Sequence, residues 1–228
     1  MLASACKDDS NTQVIRQPIS TDWAYETSLF TDFVGDNEPF TCTGSCNYTA
    51  VSGHPGVLQI GSQFGASITL SSAMTGFLLD AEAYAGTFLQ VELRLHDLAD
   101  ETNDYVLSMG FCDSPAPPCD HGAWAEYSSV DAYWHCKTAD GVNEDDAQGY
   151  VEVDDDWHFY EFQVFAGSGT WLVLDGSPTS CQINDYSIPT TTPVGPFVSI
   201  RPGAGVARVV DVDFARVDQS IYTSRVTP

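Results

Sequence analysis

The stretch "WHFYEFQVFAGSGTWLVLDG" (Trp157–Gly176) decides the fold class. Two alternating runs flank "GSG", the composition of a β-hairpin turn. In the first run His158, Tyr160, Phe162 and Val164 alternate with Phe159, Glu161, Gln163 and Phe165. Aromatic rings fall on both faces, so this strand is expected to be covered on both sides or to lie at an interface. A period of two over this length argues for strand and against helix.

The same period continues outward in both directions. In "TFLQVELRLHDL" (Thr87–Leu98), Leu89, Val91, Leu93 and Leu95 share one face, and Gln90, Glu92, Arg94 and His96 share the other. That is the pattern of a half-buried antiparallel strand. "GVLQIGSQ" and "ASITLSSA" read as two short strands, "DYVLSMGFCD" as one, and "WAEYSSVDAYWHCKTADG" as two. The last, "ARVVDVDFARV", is expected to put Val210, Val212 and Phe214 on one face and Asp211 and Asp213 on the other. "GDNEPFTCTGSCNYTAVSG" and "VNEDDAQGYVEVDDD" read as loop and turn. The total is about twelve strands and no convincing helix, with 18 glycines and 12 prolines mostly at the joints. The fold class is therefore all-β, an antiparallel two-sheet β-sandwich of the jelly-roll type. The length of 228 residues suits one large domain. Residues 1–50 read as an N-terminal arm with an edge or loop segment, 51–217 as the sandwich, and 218–228 as a tail.

Charge narrows the partners. Eight Lys and Arg stand against 32 Asp and Glu, a formal charge of −24. Such a surface repels phosphate backbones and anionic lipid, so neither nucleic acid nor membrane is an expected partner. No apolar run is long enough for a transmembrane helix. The opening "MLASAC" lacks the basic and apolar regions of an export signal.

Seven cysteines leave one over. Cys42 and Cys46, and Cys112 and Cys119, are spaced so that a disulfide could close each short loop. Cys136 and Cys181 could meet across paired strands, and Cys6 would remain. Thiols around zinc are the rival reading, weakened by the lack of a C-x2-C pair. The five histidines show no ligand spacing. The expectation is a protein without a cofactor. The one cation its loops suit is calcium, with Asp97, Asp100 and Asp104 in "DLADETND" as weak candidates and "NEDD" as a second oxygen-rich loop. Trp124, Tyr127, Tyr133 and Trp134 are candidates for a sugar-stacking platform, and they serve equally well as core residues.

The order of several segments carries a resemblance. "HPGVLQI" (His54–Ile60), "DAYWHCKTADG" (Asp131–Gly141), "DDDWHFYEFQV" (Asp154–Val164), "WLVLDG" (Trp171–Gly176) and "IPTTTPVGPFVSIRPGAGVARVVDVDFARV" (Ile188–Val217) resemble the concanavalin A-like (laminin G-like) sandwich proteins of tailed bacteriophages. The resemblance covers roughly residues 50–217. It implies a virion structural protein without enzymatic activity, a capsid decoration on the particle surface. The implied partners are the major capsid protein, other virion proteins and further copies of the chain. The alternative it implies is a tail-associated, lectin-like protein that binds a cell-surface glycan. A polysaccharide-degrading enzyme is the third reading. The same sandwich occurs in glucanases, whose E-x-D-x-x-E strand is absent; "EVDDD" (Glu152–Asp156) comes closest. Glu92, Arg94 and His96 on one strand face could hold a uronic acid, as in alginate-lyase-like sandwiches, but the other strands that mark those enzymes are not found.

Overall fold

The structure, a computed structural model, describes residues 18–19, 24–33, 40–70, 79, 86–96, 105–114, 117–128, 133–151, 153–165, 168–184, 187–189, 191–203 and 208–222. Fourteen strands are found among them and no helix. In chain order they are β1 (Pro18–Ile19), β2 (Ala24–Thr31), β3 (Phe40–Val51), β4 (His54–Leu70), β5 (Gly86–Leu95), β6 (Tyr105–Cys112) and β7 (His121–Ser128). Then follow β8 (Tyr133–Asp140), β9 (Glu144–Gly149), β10 (Trp157–Phe165), β11 (Gly169–Leu174), β12 (Ser177–Ile183), β13 (Gly195–Pro202) and β14 (Val209–Tyr222).

Every pairing is antiparallel, in the order β12-β11-β10-β5-β14-β4-β13-β6-β7-β8-β9. The ribbon folds over on itself into two packed layers. One layer holds β12, β11, β10, β5 and β14; the other holds β13, β6, β7, β8 and β9. The two runs expected as separate short strands are one strand, β4, and it belongs to both layers. Its residues Leu58–Gly61 pair with β14, and Ala66–Thr69 pair with β13. Glycine at 61 suits the approach, since a Cβ there would lie 3.0 Å from the Ser45 Oγ.

Two stretches read as loop are strand. "FTCTGSCNYTAV" is β3, the edge strand beside β4. Its pairing slips between Gly44 and Ser45, and Gly44 has φ of 89°. A bulge with a glycine in this conformation looks like a turn in sequence. The acidic "EDDAQG" is β9, the edge beside β8. Charge on an edge strand discourages further pairing, so the composition that suggested a turn suits an edge. Residues 24–31 and 40–51 thus form two integral strands, and β14 runs through the expected 217/218 boundary to Tyr222.

The core lies between the layers. Leu89, Val91, Leu93 and Leu95 point inward as the alternation required, all at 0–1% exposure. They meet Tyr160, Phe162, Val210, Val212, Ala215 and Val217 of the same layer and Leu107, Met109, Phe111, Ala123 and Ala125 of the other. Trp134 of β8 reaches Tyr160 of β10 across the core, ring centroids 5.2 Å apart, and Tyr127 stands 5.8 Å from Trp134. Cys136 of β8 is bonded to Cys181 of β12 and closes the side where the two ends of the ribbon meet. A bridge across 45 residues stabilises by about 4 kcal/mol through loop entropy. Two tight turns shape the first layer. Asp175 and Gly176, with φ of 49° and 76°, make the two-residue turn between β11 and β12. Both positive angles fit the Asp-Gly preference of hairpins.

Candidate functional site

The outer face of the first layer carries the most chemistry. Alternation sends Phe88, Gln90, Glu92 and Arg94 of β5 outward, with Trp157, Phe159, Glu161, Gln163 and Phe165 of β10 beside them. All nine are half-buried. β14 contributes Asp211, then changes its phase. Val212 pairs with Leu93 but Phe214 pairs with Glu92, so Asp213 is the extra residue of a β-bulge. The bulge corrects the sequence reading of this strand. Phe214 joins the outer face, its ring centroid 6.0 Å from that of Phe159, while Ala215 and Val217 take the inward positions.

Asp211 organises one end of this face. It is fully buried, and its carboxylate accepts from Gln59 Nε2 at 2.8 Å and Arg94 Nη2 at 2.7 Å. His96 Nε2 lies 2.6 Å away. Arg94 and His96 are therefore engaged by a buried anion, which changes their reading as a uronate-binding face. The Arg94 guanidinium also sits 5.0 Å from the centroid of the Trp157 ring, a cation–π arrangement.

The β3–β4 hairpin folds over the same end. β2 takes the place of β4 beside β14 from Ala215 onward, so the hairpin tip is free to cross the face. His54 at that tip stacks on Trp157, centroids 4.1 Å apart and planes 16° from parallel. In the hydrogen-bonding order these residues lie three strands apart. His54 Nδ1 is 2.8 Å from Asp213 Oδ2. His54, Glu92 and Asp213 bring one ligand atom each within 4.8 Å of one another. Burial raises the Glu92 pKa above the usual carboxylate value, and the nearby Asp213 carboxylate adds to the rise.

Farther along β10 the face turns polar and then aromatic again. Gln90 and Gln163 each donate to the Glu161 carboxylate. Beyond them Phe165 packs edge-on against Phe88 at 5.4 Å and Trp171 at 5.2 Å. The face is an amide and carboxylate strip between two groups of rings. Rings offer stacking surface, and the strip offers donors and acceptors.

The sequence candidates lie elsewhere. Trp124, Tyr127 and Trp134 have 3%, 1% and 0% exposure and are core residues, so they form no open platform. Tyr127 and Trp134 belong to the main core. Trp124 sits on the outer side of the second layer, packed with Phe197, Ala139 and the Cys112–Cys119 pair. Tyr133 is half-buried against Tyr150, rings 5.3 Å apart. The structure bonds Cys42 to Cys46 and Cys112 to Cys119, besides Cys136 to Cys181. Cys6 and the calcium candidates Asp97, Asp100 and Asp104 lie outside the described residues. His54, Trp157 and Asp213 were missed as site residues. The aromatic alternation of β10 was their one sequence signal.

No protein-family profile matches the chain, and no curated protein matches it in sequence. Solved structures do match. The carbohydrate recognition domain of Emp47p gives a TM-score of 0.60 at 12% identity, over 90% of this chain and 97% of that one. The binding domain of botulinum neurotoxin DC, in complex with rat synaptotagmin II, gives 0.55 at 10% identity, over 78% of this chain and 42% of that one. A botulinum neurotoxin type C structure, concerned with its interaction with two ganglioside molecules, gives 0.54 at 9% identity, over 91% and 47%. The chain thus spans under half of the neurotoxin chains. At such identities the likeness is one of fold. The protein is an all-β, antiparallel two-sheet sandwich of the jelly-roll type, the fold it shares with these structures.

Proposed function

We propose that the protein is a lectin-like binding module that takes a neutral oligosaccharide along the outer face of β5, β10 and β14. The observation that carries this is the polar strip of Gln90, Glu161 and Gln163 flanked by Phe159 and Phe214 on one side and Phe88, Phe165 and Trp171 on the other. From Phe159 to Phe165 the strand spans about 20 Å, room for several sugar units. The charge of −24 disfavours an anionic glycan. The Emp47p domain, named for carbohydrate recognition, supports the reading by analogy of fold.

The test is a glycan array probed with the purified protein, followed by Phe159→Ala and Trp171→Ala. Each substitution should weaken binding at least about tenfold, the loss of one stacking contact, with the circular dichroism spectrum unchanged. Binding that survives both substitutions would place the ligand elsewhere, and an array without a hit would sink the reading.

The place of this module is a virion surface. What supports that is the sequence resemblance over roughly residues 50–217 to sandwich proteins of tailed bacteriophages. Three disulfides suit an exterior, oxidising setting. A capsid decoration and a tail-borne receptor binder share this fold and differ in where on the particle they sit.

A further inference from the structure

The end of the face nearest the β3–β4 hairpin has a chemistry that a sugar does not account for. Glu92 and Asp213 place two carboxylates together with His54, from three different strands. Among the described residues neither carboxylate has a lysine or arginine partner, because the nearby Arg94 is bonded to Asp211. Two carboxylates thus share one histidine in a half-buried place, and a second cation or a proton would relieve their repulsion.

The three groups are also held in position. The backbone bulge aims Asp213. Stacking on Trp157 fixes the His54 ring. Glu92 sits in the middle of β5, paired on both sides with Phe159 and Phe214. We propose that His54, Glu92 and Asp213 bind a divalent transition-metal cation. One imidazole with two carboxylates suits Zn²⁺ or Mn²⁺, whereas Ca²⁺ favours an all-oxygen shell. Ligand atoms within 4.8 Å of one another need a small rotation of side chains to reach bonds of about 2.1 Å. The acidic surface concentrates cations around the site. The proposal goes beyond glycan binding and does not require it.

The experiment is titration calorimetry of the chelator-treated protein with Zn²⁺, Mn²⁺ and Ca²⁺, each alone and with no sugar present. Tryptophan fluorescence is followed in parallel, because Trp157 lies against His54. One equivalent of Zn²⁺ or Mn²⁺ should bind, with a change in emission. Glu92→Gln and Asp213→Asn should each weaken binding at least tenfold, and His54→Ala should do the same with a native circular dichroism spectrum. Glu144→Gln on the second layer serves as the control and should leave binding unchanged. No saturable binding by the native protein, or binding that all three site variants retain, overturns the proposal. A preference for Ca²⁺ that survives the site variants points to another site and overturns it as well. Repeating the glycan array with and without chelator reads the sugar separately, so failure of one reading leaves the other standing or falling by its own result.

Discussion

Asp211 is a carboxylate with no exposed surface, and groups from three residues converge on it. Such a group is more costly to leave unpaired than it is stabilising when paired. Its work here is to fix Arg94, and through Arg94 the Trp157 ring. His158 is the second residue whose charge matters. Its Nδ1 is 2.7 Å from Asp175 and its Nε2 is 2.8 Å from Asp154, so it ties the segment before β10 to the β11–β12 turn. Burial works against the charged ring, but the bonds to Asp175 and Asp154 outweigh it and raise the pKa above 6.5. A raised histidine contributes stability that is full below the unfolded value and is lost as pH rises through the folded one. Both aspartates titrate below their ordinary value, so their contribution fails only at lower pH. The melting-temperature gap between the native protein and His158→Gln should therefore be widest near pH 5.5 and narrow by about 2–4 °C by pH 9. A gap independent of pH would refute the charged pairing. None of this was visible at the residue scale in sequence. His54, Glu92 and Asp213 are remote along the chain, and the bulge that turns Asp213 toward them leaves no mark on an alternating run.

At the scale of elements the sequence was legible wherever one face is buried. β5 and β10 follow their period, because a slip of one residue would turn leucine and tyrosine out to water. Reading failed at the edges, where pairing is one-sided and composition is free. β3 hides behind a bulge and a disulfide, and β9 behind its acidic residues. β9 nevertheless carries a strict requirement at its end. A Cβ on Gly149 would stand 2.3 Å from the Cys181 Cβ and 2.6 Å from its Cα. Gly149→Ala must push β12 away from β9 or strain the Cys136–Cys181 bridge. It should cost about 2 kcal/mol, a fall in melting temperature of about 6 °C. Thermal melts under oxidising conditions will read it, and an unchanged melting temperature would mean that this contact relaxes freely.

For the whole molecule, the sandwich was legible because about twelve alternating runs with turn residues between them admit few other folds. The platform was not legible. Trp124, Tyr127 and Trp134 have the composition of a sugar-binding surface, and only packing shows that the layers enclose two of them and that the Cys112–Cys119 pair and Phe197 bury the third. The particle reading is tested at the same scale. Immunogold labelling of purified virus particles from the chain's source should place gold on the particles, on heads for a decoration and on tails for a receptor binder. Particles without gold would end the virion reading and leave the module as a free lectin.

One pairing sets how such a module can be held. Tyr222, at the far end of β14, lies beside Ala24 at the start of β2. The β1–β2 hairpin, with Ile19 beside Ala24, therefore lies at the same pole as Tyr222. Asp213 is nine residues back along the strand, about 30 Å away. A support that grips this pole would therefore hold the protein upright, with the His54–Trp157 end pointing away from it and toward whatever approaches.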